Sequence, residues 1–462
     1  MSILIEKRAT RNMRKNYSDQ KTIGKRIKEF RKGANLTQDE LARKANVPYT
    51  TFSKIESEVI KSPSVAIVQK IAIGLETSID ELSGYSRLNN KHSKQYLLFT
   101  PGPVNVAENV RMAFSKESIC HREEEFDFLL QSIERKLLQL FEVKNEADYR
   151  AVVVTGSGTA ANESMLSSVV GDKNILILAN GEFGERLFHL SEVHNKNTFL
   201  LKFDWGQKFD LEKIEIFIKK NKIDVIAMAH HETSSGMLNS LEEVGALSKV
   251  YNTLFLVDCV SSAGAEIIDL EKCHISFCSS SSSKAIASYP GISFVIGETR
   301  EFEKLKDMPI KTTYLNLNKL YHFLKSLSQT PNTPAIHLFF ALEQALANIL
   351  EEGVSNHHRN LLNRANLLRA GMQRMGLRFL IDENDMCSVL TTVYVPEYIK
   401  IGVLREKLRE KRIIIYEGKG KFKNKIFQVG NIGELSFGDI QFFLDSLREI
   451  VQSFDMVEAK RI

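Results

Sequence analysis

Short apolar runs rich in β-branched residues recur along most of the chain, and each is followed by a segment that favours helix. They are YRAVVV (149–154), NILIL (174–178), IDVIAMA (223–229), TLFLVD (253–258) and ISFVIG (292–297). Strands that alternate with helices are typical of α/β domains with a mostly parallel sheet, whose ligands bind at the carboxyl ends of the strands. The alternation therefore predicts an α/β body over about 350 residues.

Positive charge is concentrated at the start of the chain. Residues 1–90 contain 17 Lys and Arg against 10 Asp and Glu, although the chain of 462 residues has a net charge of only +5. A basic segment ahead of a nearly neutral body is typical of a module that binds a polyanion.

The composition disfavours several classes of protein. Hydrophobic residues make up 43% and charged residues 26% of the chain, which is typical of a globular protein rather than a disordered one. Because no apolar run approaches about 20 residues and no signal-peptide pattern opens the chain, we expect a cytoplasmic protein. The 5 cysteines are scattered without a zinc-binding spacing, so we expect reduced thiols and no metal site.

Residues 22–82 have the pattern of four or five short helices. In LTQDELARKANV, Thr37 with Glu40 three positions later predicts a capping box at the start of the second helix. A short turn that ends at Pro48 leads into PYTTFSKIESEV, where proline suits the first turn of a third helix. Two helices joined by a tight turn predict a helix-turn-helix.

The same stretch resembles the Cro and repressor type of DNA-binding domain over about 60 residues. The resemblance implies that the third helix enters the major groove, with Phe52 and Ile55 packed inward. The side chains expected near bases or phosphates are Tyr49, Thr50, Thr51, Ser53 and Lys54. A small helical protein-interaction domain is the alternative, which the basic residues from Lys7 to Lys32 disfavour.

Three features of the body suit one kind of chemistry. The turn GSGT (156–159) follows a strand and opens a helix, where backbone N–H groups and the helix dipole can hold a phosphate. Asp258 ends an apolar strand, where a carboxylate needs a cationic partner. Lys284 follows five serines, in a setting where an amine can form an imine with a carbonyl cofactor. A turn without a ligand and a solvated loop are the ordinary alternatives, but the order of the three is that of a pyridoxal-phosphate enzyme.

The body resembles the class V aminotransferases, and within them the 2-aminoethylphosphonate:pyruvate and alanine:glyoxylate transaminases, of which the phosphonate branch fits best. The motifs that carry the resemblance are LLFTPGPVNV, CHREEEF, GSGTAANES, NGEFGER, HHETSSGMLN, VDCVSSAG, SSSKAIASYPGISFVI, TPNTPAIH, IYEGKG and VGNIGE. The resemblance implies an all-α helix-turn-helix domain followed by a fold type I transferase that binds pyridoxal 5'-phosphate. That fold has a mostly parallel central sheet and a smaller C-terminal α+β domain, and its members form homodimers.

The resemblance also implies roles for individual residues. Lys284 would form the imine with the cofactor and act as the catalytic base, and Asp258 would pair with the pyridine nitrogen. Phe183 would stack on the cofactor ring, and Thr333 would reach the phosphate site of a neighbouring subunit. The other expected cofactor contacts are small or hydroxyl residues: Ser157, Gly158, Thr159, Thr233 and Ser283. An ordinary core position is the alternative for Phe183, and a loop hydroxyl for Thr333.

One position departs from the family pattern. The family reads FRIGNIGE, and its arginine clamps a substrate carboxylate, whereas this chain reads FQVGNIGE with Gln428 at that place. Glutamine offers neither the charge nor the fork of a guanidinium. Arg122 in CHREEEF and the lysines of 419–425 are candidate substitutes, although a solvated charge run is the more ordinary interpretation of those lysines.

Two functions follow from this departure. In the first, an active transaminase moves an amino group from an amine to an oxo acid and is fused to a sequence-specific DNA-binding domain. In the second, the body senses an amine through bound cofactor with little or no turnover and regulates transcription. Either function predicts a homodimer that binds an inverted-repeat operator.

The charge pattern, the polar linker and the resemblance together lead us to expect five segments. They are a basic arm (1–21), a helix-turn-helix domain (22–85), a polar linker (86–96), a large cofactor-binding domain (97–350) and a small C-terminal domain (351–462).

Overall fold

The structure describes residues 22–33, 36–75, 77, 79, 82 and 95–458. These residues fall into two units that divide between Gln95 and Tyr96. The expected basic arm, and residues 86–94 of the expected linker, lie outside the described residues.

The front region folds into short helices, as its pattern predicts. In this computed structural model they are α1 (Ile23–Gly33), α2 (Gln38–Lys44), α3 (Tyr49–Glu56) and α4 (Val65–Gly74). The Thr37 side chain accepts the N–H of Glu40, and the Glu40 carboxylate accepts the N–H of Thr37. The predicted capping box is therefore present at the start of α2.

The front unit is held by an apolar core and one buried ion pair. Its core includes side chains with no exposed surface: Ile27, Leu41, Phe52, Ile55 and Ile71. Arg31 of α1 donates two hydrogen bonds to Glu56 of α3, at 2.6 and 3.1 Å. Gln38 of α2 donates to the same carboxylate at 2.7 Å. Three helices are thus joined through one carboxylate.

The body contains the alternating strands that its sequence predicts. In chain order they are β1 (Leu97–Phe99), β2 (Tyr149–Thr155), β3 (Ile175–Ala179), β4 (Thr198–Lys202), β5 (Val225–Ala229), β6 (His231–Glu232), β7 (Met237–Leu238), β8 (Leu254–Asp258), β9 (Phe277–Ser281), β10 (Ile292–Glu298), β11 (Leu390–Tyr394), β12 (Ile413–Glu417) and β13 (Ile426–Gly430). Strands β6 and β7 form a short antiparallel hairpin.

Seven strands form the main sheet, in the order β2-β10-β9-β8-β5-β3-β4. All neighbouring pairs are parallel except those of β10, which runs antiparallel to both β2 and β9. Strands β3, β5 and β9 are buried at every position, as expected for strands that are covered on both faces. The predicted mostly parallel sheet is confirmed.

Helices connect and cover these strands. They are α5 (Glu108–Phe114), α6 (Glu124–Leu140), α7 (Gly158–Val169), α8 (Glu182–His194), α9 (Leu211–Asn221), α10 (Leu241–Val250), α11 (Thr299–Lys304), α12 (Leu317–Leu327), α13 (Ile336–Glu352), α14 (Val354–Gln373), α15 (Ile401–Glu410) and α16 (Phe437–Glu458). Because α7 follows β2 and α8 follows β3, both helices begin on the same side of the sheet as the carboxyl ends of those strands. Among the described helices, none combines the length and the apolar character that crossing a bilayer requires.

A second sheet has the strand order β1-β12-β13-β11. Here β1 pairs in parallel with β12, from Leu97 opposite Ile413 to Phe99 opposite Ile415. A division of the chain at residue 350 assigns β1 to the larger domain, but its hydrogen bonds attach it to the C-terminal sheet. The Phe99 ring stacks on Phe443 of α16, with 4.6 Å between the ring centroids, and this packing holds the start of the body on the C-terminal sheet.

Candidate active site

Lys284 lies in a tight turn that follows β9. The hydroxyl of Ser282 donates to the carbonyls of Tyr289 and Ile292, at 2.6 and 2.9 Å. Ala287 adopts a φ of +57°, which turns the chain back toward β10. The serine-rich run of the sequence is therefore the end of a buried strand, and its hydroxyls satisfy the backbone of the lysine turn.

The side chain of Lys284 is covered by the segment around Gly102. A Cβ at Gly102 would lie 2.9 Å from Cδ of Lys284, and Gly102 has a φ of +132° that favours glycine. Burial lowers the pKa of Lys284 to about 8. The charge of Asp258 opposes this effect, while Lys419 and Arg186 lower the pKa further. Near neutral pH, a larger fraction of this amine is therefore in the neutral, nucleophilic form than in an exposed lysine.

Asp258 ends β8 with only 6% of its surface exposed. Its Oδ1 accepts the N–H of Val260 at 2.8 Å, and its Oδ2 accepts Nδ2 of Asn162 at 2.7 Å. Burial raises the pKa of this carboxyl group, and the two hydrogen bonds and Lys284 oppose the rise. Sequence reasoning missed Asn162, which lies one helical turn after the glycine turn and also accepts a hydrogen bond from Ser279.

The glycine turn brings a helix N-terminus beside this carboxylate. Ser157 is the N-cap of α7, and its side chain makes no capping hydrogen bond. Gly158 is so close to the segment after β8 that a Cβ there would lie 2.7 Å from Cγ2 of Val260. Thr159 is half-buried in the first turn of α7. Backbone N–H groups and the helix dipole make this position suitable for a phosphate.

Phe183 lies in the first turn of α8, half-buried. Its ring centroid is 5.9 Å from Nζ of Lys284 and 4.8 Å from Cζ of Arg186. The fully buried carboxylate of Glu232 accepts the N–H groups of Phe183 and Gly184, at 3.1 and 3.0 Å. Glu232 thus positions Phe183, and burial raises the pKa of the Glu232 carboxyl. Sequence reasoning missed this role of Glu232, which follows an apolar strand in HHETSSG.

Thr233 and His231 lie buried next to Ser261. Oγ1 of Thr233 is 2.6 Å from Oγ of Ser261. His231 contacts the Ser261 carbonyl through Nδ1 at 3.1 Å and Sγ of Cys387 through Nε2 at 3.0 Å. Burial lowers the pKa of His231 to about 4, so its imidazole is neutral near pH 7. These contacts attach the β6–β7 hairpin to the segment after β8 and to the segment that precedes β11.

Gln428 of β13 reaches the same hairpin, with only 4% of its surface exposed. Its Nε2 donates to the carbonyl of Thr233 at 2.6 Å and lies 3.4 Å from Oγ1 of Thr392. With the carbonyl of Ser234 at 3.5 Å, three protein oxygens surround the only donor group of this side chain. Gln428 joins the C-terminal sheet to the β6–β7 hairpin rather than presenting donors to a substrate.

Arg122 contacts the loop after α12, which also carries Thr333. Arg122 donates to the carbonyl of Thr330 at 2.8 Å, to Oε1 of Gln329 at 3.1 Å and to the carbonyl of Pro331 at 3.4 Å. Thr333 is exposed on this loop. The contacts of Arg122 therefore support the loop that carries Thr333, and they are not with Gln428. Ser283 is half-buried immediately before Lys284.

The expected DNA-contacting residues form the outer face of α3. Tyr49 is 49% exposed, Thr50 and Lys54 are also exposed, and Thr51 and Ser53 are half-buried. Phe52 and Ile55 point into the core with no exposed surface, as predicted.

Known proteins share both units. The family described as aminotransferase class-V matches residues 108–423, and a helix-turn-helix family matches residues 27–82. The 2-aminoethylphosphonate–pyruvate transaminase of Klebsiella pneumoniae is 32% identical over 368 residues, which cover 77% of this chain and 97% of that protein. An uncharacterized aminotransferase of Methanocaldococcus jannaschii is 32% identical over 342 residues, which cover 73% of this chain and 88% of that protein.

A solved structure has the same fold. The alanine–glyoxylate aminotransferase of Nostoc sp. superimposes with a TM-score of 0.74 at 27% identity, over 78% of this chain and 96% of that one. The resemblance inferred from the motifs is thereby confirmed for both units. The chain belongs to the class V aminotransferases and carries a helix-turn-helix domain of the Cro and repressor type in front of the aminotransferase body.

Proposed function

We propose that the body transfers amino groups with pyridoxal 5'-phosphate attached through Lys284, and that the front unit binds DNA. The observation that carries the proposal is the position of Lys284, which is covered by the segment at Gly102 and has its Nζ 5.9 Å from the centroid of the Phe183 ring. The charge of Asp258 raises the pKa of this amine, whereas burial lowers it. An amine and a carboxylate are rarely buried together without a partner or a chemical role.

The residues present fit this cofactor. The carboxylate of Asp258, whose pKa burial raises, suits a protonated ring nitrogen as its cationic partner. The N-terminus of α7, with Ser157, Gly158 and Thr159, suits the phosphate. Phe183 is placed to cover a flat ring next to Lys284. Thr233 and Ser283 complete the proposed contacts, and Thr333 would serve the site of a second subunit.

When bound, pyridoxal phosphate supplies an aldehyde that takes up the substrate amine and a ring that withdraws electrons from the adjacent carbon. The amine of Lys284 would hold the cofactor and, once free, would act as general base and acid at the substrate carbon. Asp258, oriented by Val260 and Asn162, would pair with a protonated ring nitrogen. The covering segment at Gly102 excludes water from the stem of Lys284.

A half-reaction assay tests this proposal. The holoprotein is mixed with 2-aminoethylphosphonate, alanine and other amines without an acceptor, and the absorbance of the bound cofactor is followed as it takes up the amino group. If the absorbance changes to that of the amine form of the cofactor, and pyruvate then reverses the change, the protein is a transaminase.

The second candidate function is a regulator that binds the cofactor and an amine but turns over slowly. The observation that favours it is Gln428, whose amide is engaged by Thr233 where an arginine clamp is typical of the family. Spectral change with an amine, but no amino transfer to any oxo acid, would identify this function in the same assay.

We infer that α3 enters the major groove of an inverted-repeat site and that the body dimerises. A homodimer would present two copies of α3, which suits such a site. Binding to DNA also requires access to it, which supports the expected cytoplasmic location. Replacing Lys54 by alanine should weaken binding to genomic fragments selected by this protein and reduce the dependence of log affinity on log salt by about 1. A salt dependence equal to that of the wild type would contradict the assignment.

A further inference from the structure

A cavity outside the candidate active site opens between the start of α9, the start of α10 and the segment before β11. Its volume is about 470 Å³, which lies within the usual range for sites that bind small molecules. None of the residues that line this cavity is among the candidate cofactor contacts. A ligand in the cavity would therefore occupy a site of its own.

The wall of the cavity contains the imidazole of His230, a residue with only 5% of its surface exposed. Its backbone is held on both sides, because its N–H donates to the carbonyl of Asp258 at 3.0 Å and its carbonyl accepts the N–H of Asn239 at 2.8 Å. Among the described residues, however, neither nitrogen of the ring has a hydrogen-bond partner. Leaving a buried polar group without a partner is costly, so its position in a cavity wall indicates that a bound molecule supplies the partner.

The imidazole of His230 is neutral. Burial lowers the pKa of His230 to about 3, and the neighbouring His231 lowers it further. A neutral imidazole has one nitrogen that donates a hydrogen bond and one that accepts. Near pH 7, His230 can therefore accept a hydrogen bond from a ligand.

Most of the remaining wall is apolar. The apolar side chains that line the cavity are Phe209, Leu211, Leu238, Leu241, Val244 and Ile267. Ile267 is 47% exposed, so part of this apolar surface is open to solvent. Apolar walls with a few polar groups are typical of a site for a small organic molecule.

Carboxylates outnumber cationic groups around the cavity. Its lining includes Glu242, Glu243 and Asp385 but only one cationic side chain, that of Lys208. Lys208 pairs with Asp385 at 2.7 Å. Glu242 pairs with Lys272, also at 2.7 Å. Glu243 is exposed and has no ion-pair partner in the described part of the chain. The charges therefore favour a cationic ligand over an anionic one.

We propose that this cavity binds a small organic amine, with its apolar part against the walls and its ammonium group hydrogen-bonded to His230 within the field of the carboxylates. An ammonium group has three donors, so it can supply the partner that the imidazole lacks. The site is separate from Lys284, and the inference goes beyond the amino transfer proposed above.

Three probes with the same phenyl group test the inference: 2-phenylethylamine, 2-phenylethanol and phenylacetate. Calorimetric titration of the full-length holoprotein, after reduction with borohydride, gives their dissociation constants. Reduction prevents the bound cofactor from reacting with the amine, so the titration measures binding alone. We expect the amine to bind at least about tenfold more tightly than phenylacetate, with the alcohol between them, because the carboxylates attract one charge and repel the other.

Hydrogen exchange shows where the amine binds. The cavity includes the end of the β6–β7 hairpin and the first turn of α10. We therefore expect the amine to slow exchange in residues 238–250 and to leave exchange around Lys284 unchanged.

Three variants test the contacts. Glu243→Lys reverses the unpaired charge at an exposed position and should weaken binding of the amine by about fivefold. Glu410→Lys is the matched control, since it makes the same change at an exposed position of α15 outside the cavity, and it should alter binding by less than about twofold. His230→Phe keeps a ring but removes its nitrogens, so the amine and the alcohol should each bind about two- to tenfold more weakly.

Four results would each overturn the inference: no saturable binding of the amine, equal affinity for the amine and phenylacetate, slowed exchange only outside residues 238–250, or equal losses in Glu243→Lys and Glu410→Lys. None of these results bears on the attachment of a cofactor to Lys284. Peptide mapping after the borohydride reduction tests that attachment separately.

Discussion

At the scale of single residues, the burial of Lys284 lowers the pKa of its amine and so determines the pH range in which the amine reacts. An exposed lysine has a pKa near 10.5, whereas that of Lys284 is about 8. Since the neutral amine attacks an aldehyde, attachment of the cofactor to apoprotein should quicken as pH rises toward about 8 and level off above it. Asp258 raises the pKa of Lys284, so Asp258→Asn should move the midpoint to lower pH.

Stopped-flow absorbance with free pyridoxal phosphate measures this profile. A midpoint near 10.5 in the wild type, or a midpoint that rises in Asp258→Asn, would show that the amine is not buried beside this carboxylate.

Gln428 determines a second property at this scale. Replacing it by arginine restores the family's guanidinium, and we expect carboxylate ligands to bind about tenfold more tightly because a charged hydrogen bond is gained. Spectral titration of the holoprotein with pyruvate analogues gives the dissociation constants. Gln428→Met is the matched neutral control, in which carboxylate affinity should not increase. If the arginine variant and the wild type bind carboxylate ligands with equal affinity, residue 428 does not determine that affinity.

At the scale of secondary-structure elements, Glu232 fixes the start of α8. Glu232→Ala leaves the N–H groups of Phe183 and Gly184 without their acceptor, so the free energy of unfolding should fall by about 1–3 kcal/mol or more. Chemical denaturation of the holoprotein measures the loss. Glu242→Ala, at the exposed start of α10, removes a surface pair with Lys272 and should cost less than about 1 kcal/mol. Equal losses in the two variants would contradict the anchoring role of Glu232.

The ion pair of the front unit gives another prediction at this scale. Arg31→Met leaves the Glu56 carboxylate buried without its cation, and we expect the front unit to lose about 3–5 kcal/mol. Hydrogen exchange of the amides in α1, α2 and α3 reports the change locally. Replacing both residues, as Arg31→Met with Glu56→Leu, should recover much of the protection because no unpaired charge remains. Unchanged exchange in Arg31→Met would contradict the role of the pair.

Local patterns explain why the elements could be predicted. Thr37 and Glu40 cap α2 through contacts three residues apart, and the apolar run before Asp258 forms a strand with that residue at its end. Such signals are contained in a few consecutive residues. Asn162 and Glu232 could not be assigned in this way, because their partners lie 96 and 48 or 49 residues away.

At the scale of the whole molecule, distant segments complete the site. Strand β1 joins the C-terminal sheet, and the segment that follows it covers Lys284 through Gly102. Gln428, from the same sheet, reaches Thr233 across 195 residues. The order of motifs predicts the fold and the identity of the site residues, but it carries no signal for these contacts. Only the folded chain brings the segment after the first strand to Lys284 and the last strand to the β6–β7 hairpin.

The central claim is that Lys284 carries the cofactor, and one measurement tests it directly. The holoprotein is reduced with borohydride, digested, and mapped by mass spectrometry, with Lys284→Ala as the control. We predict that the reduced cofactor is attached to the peptide containing Lys284 and that the variant has no such label. An unlabelled Lys284, or a label on another lysine, would contradict both the catalytic and the sensing function of the body.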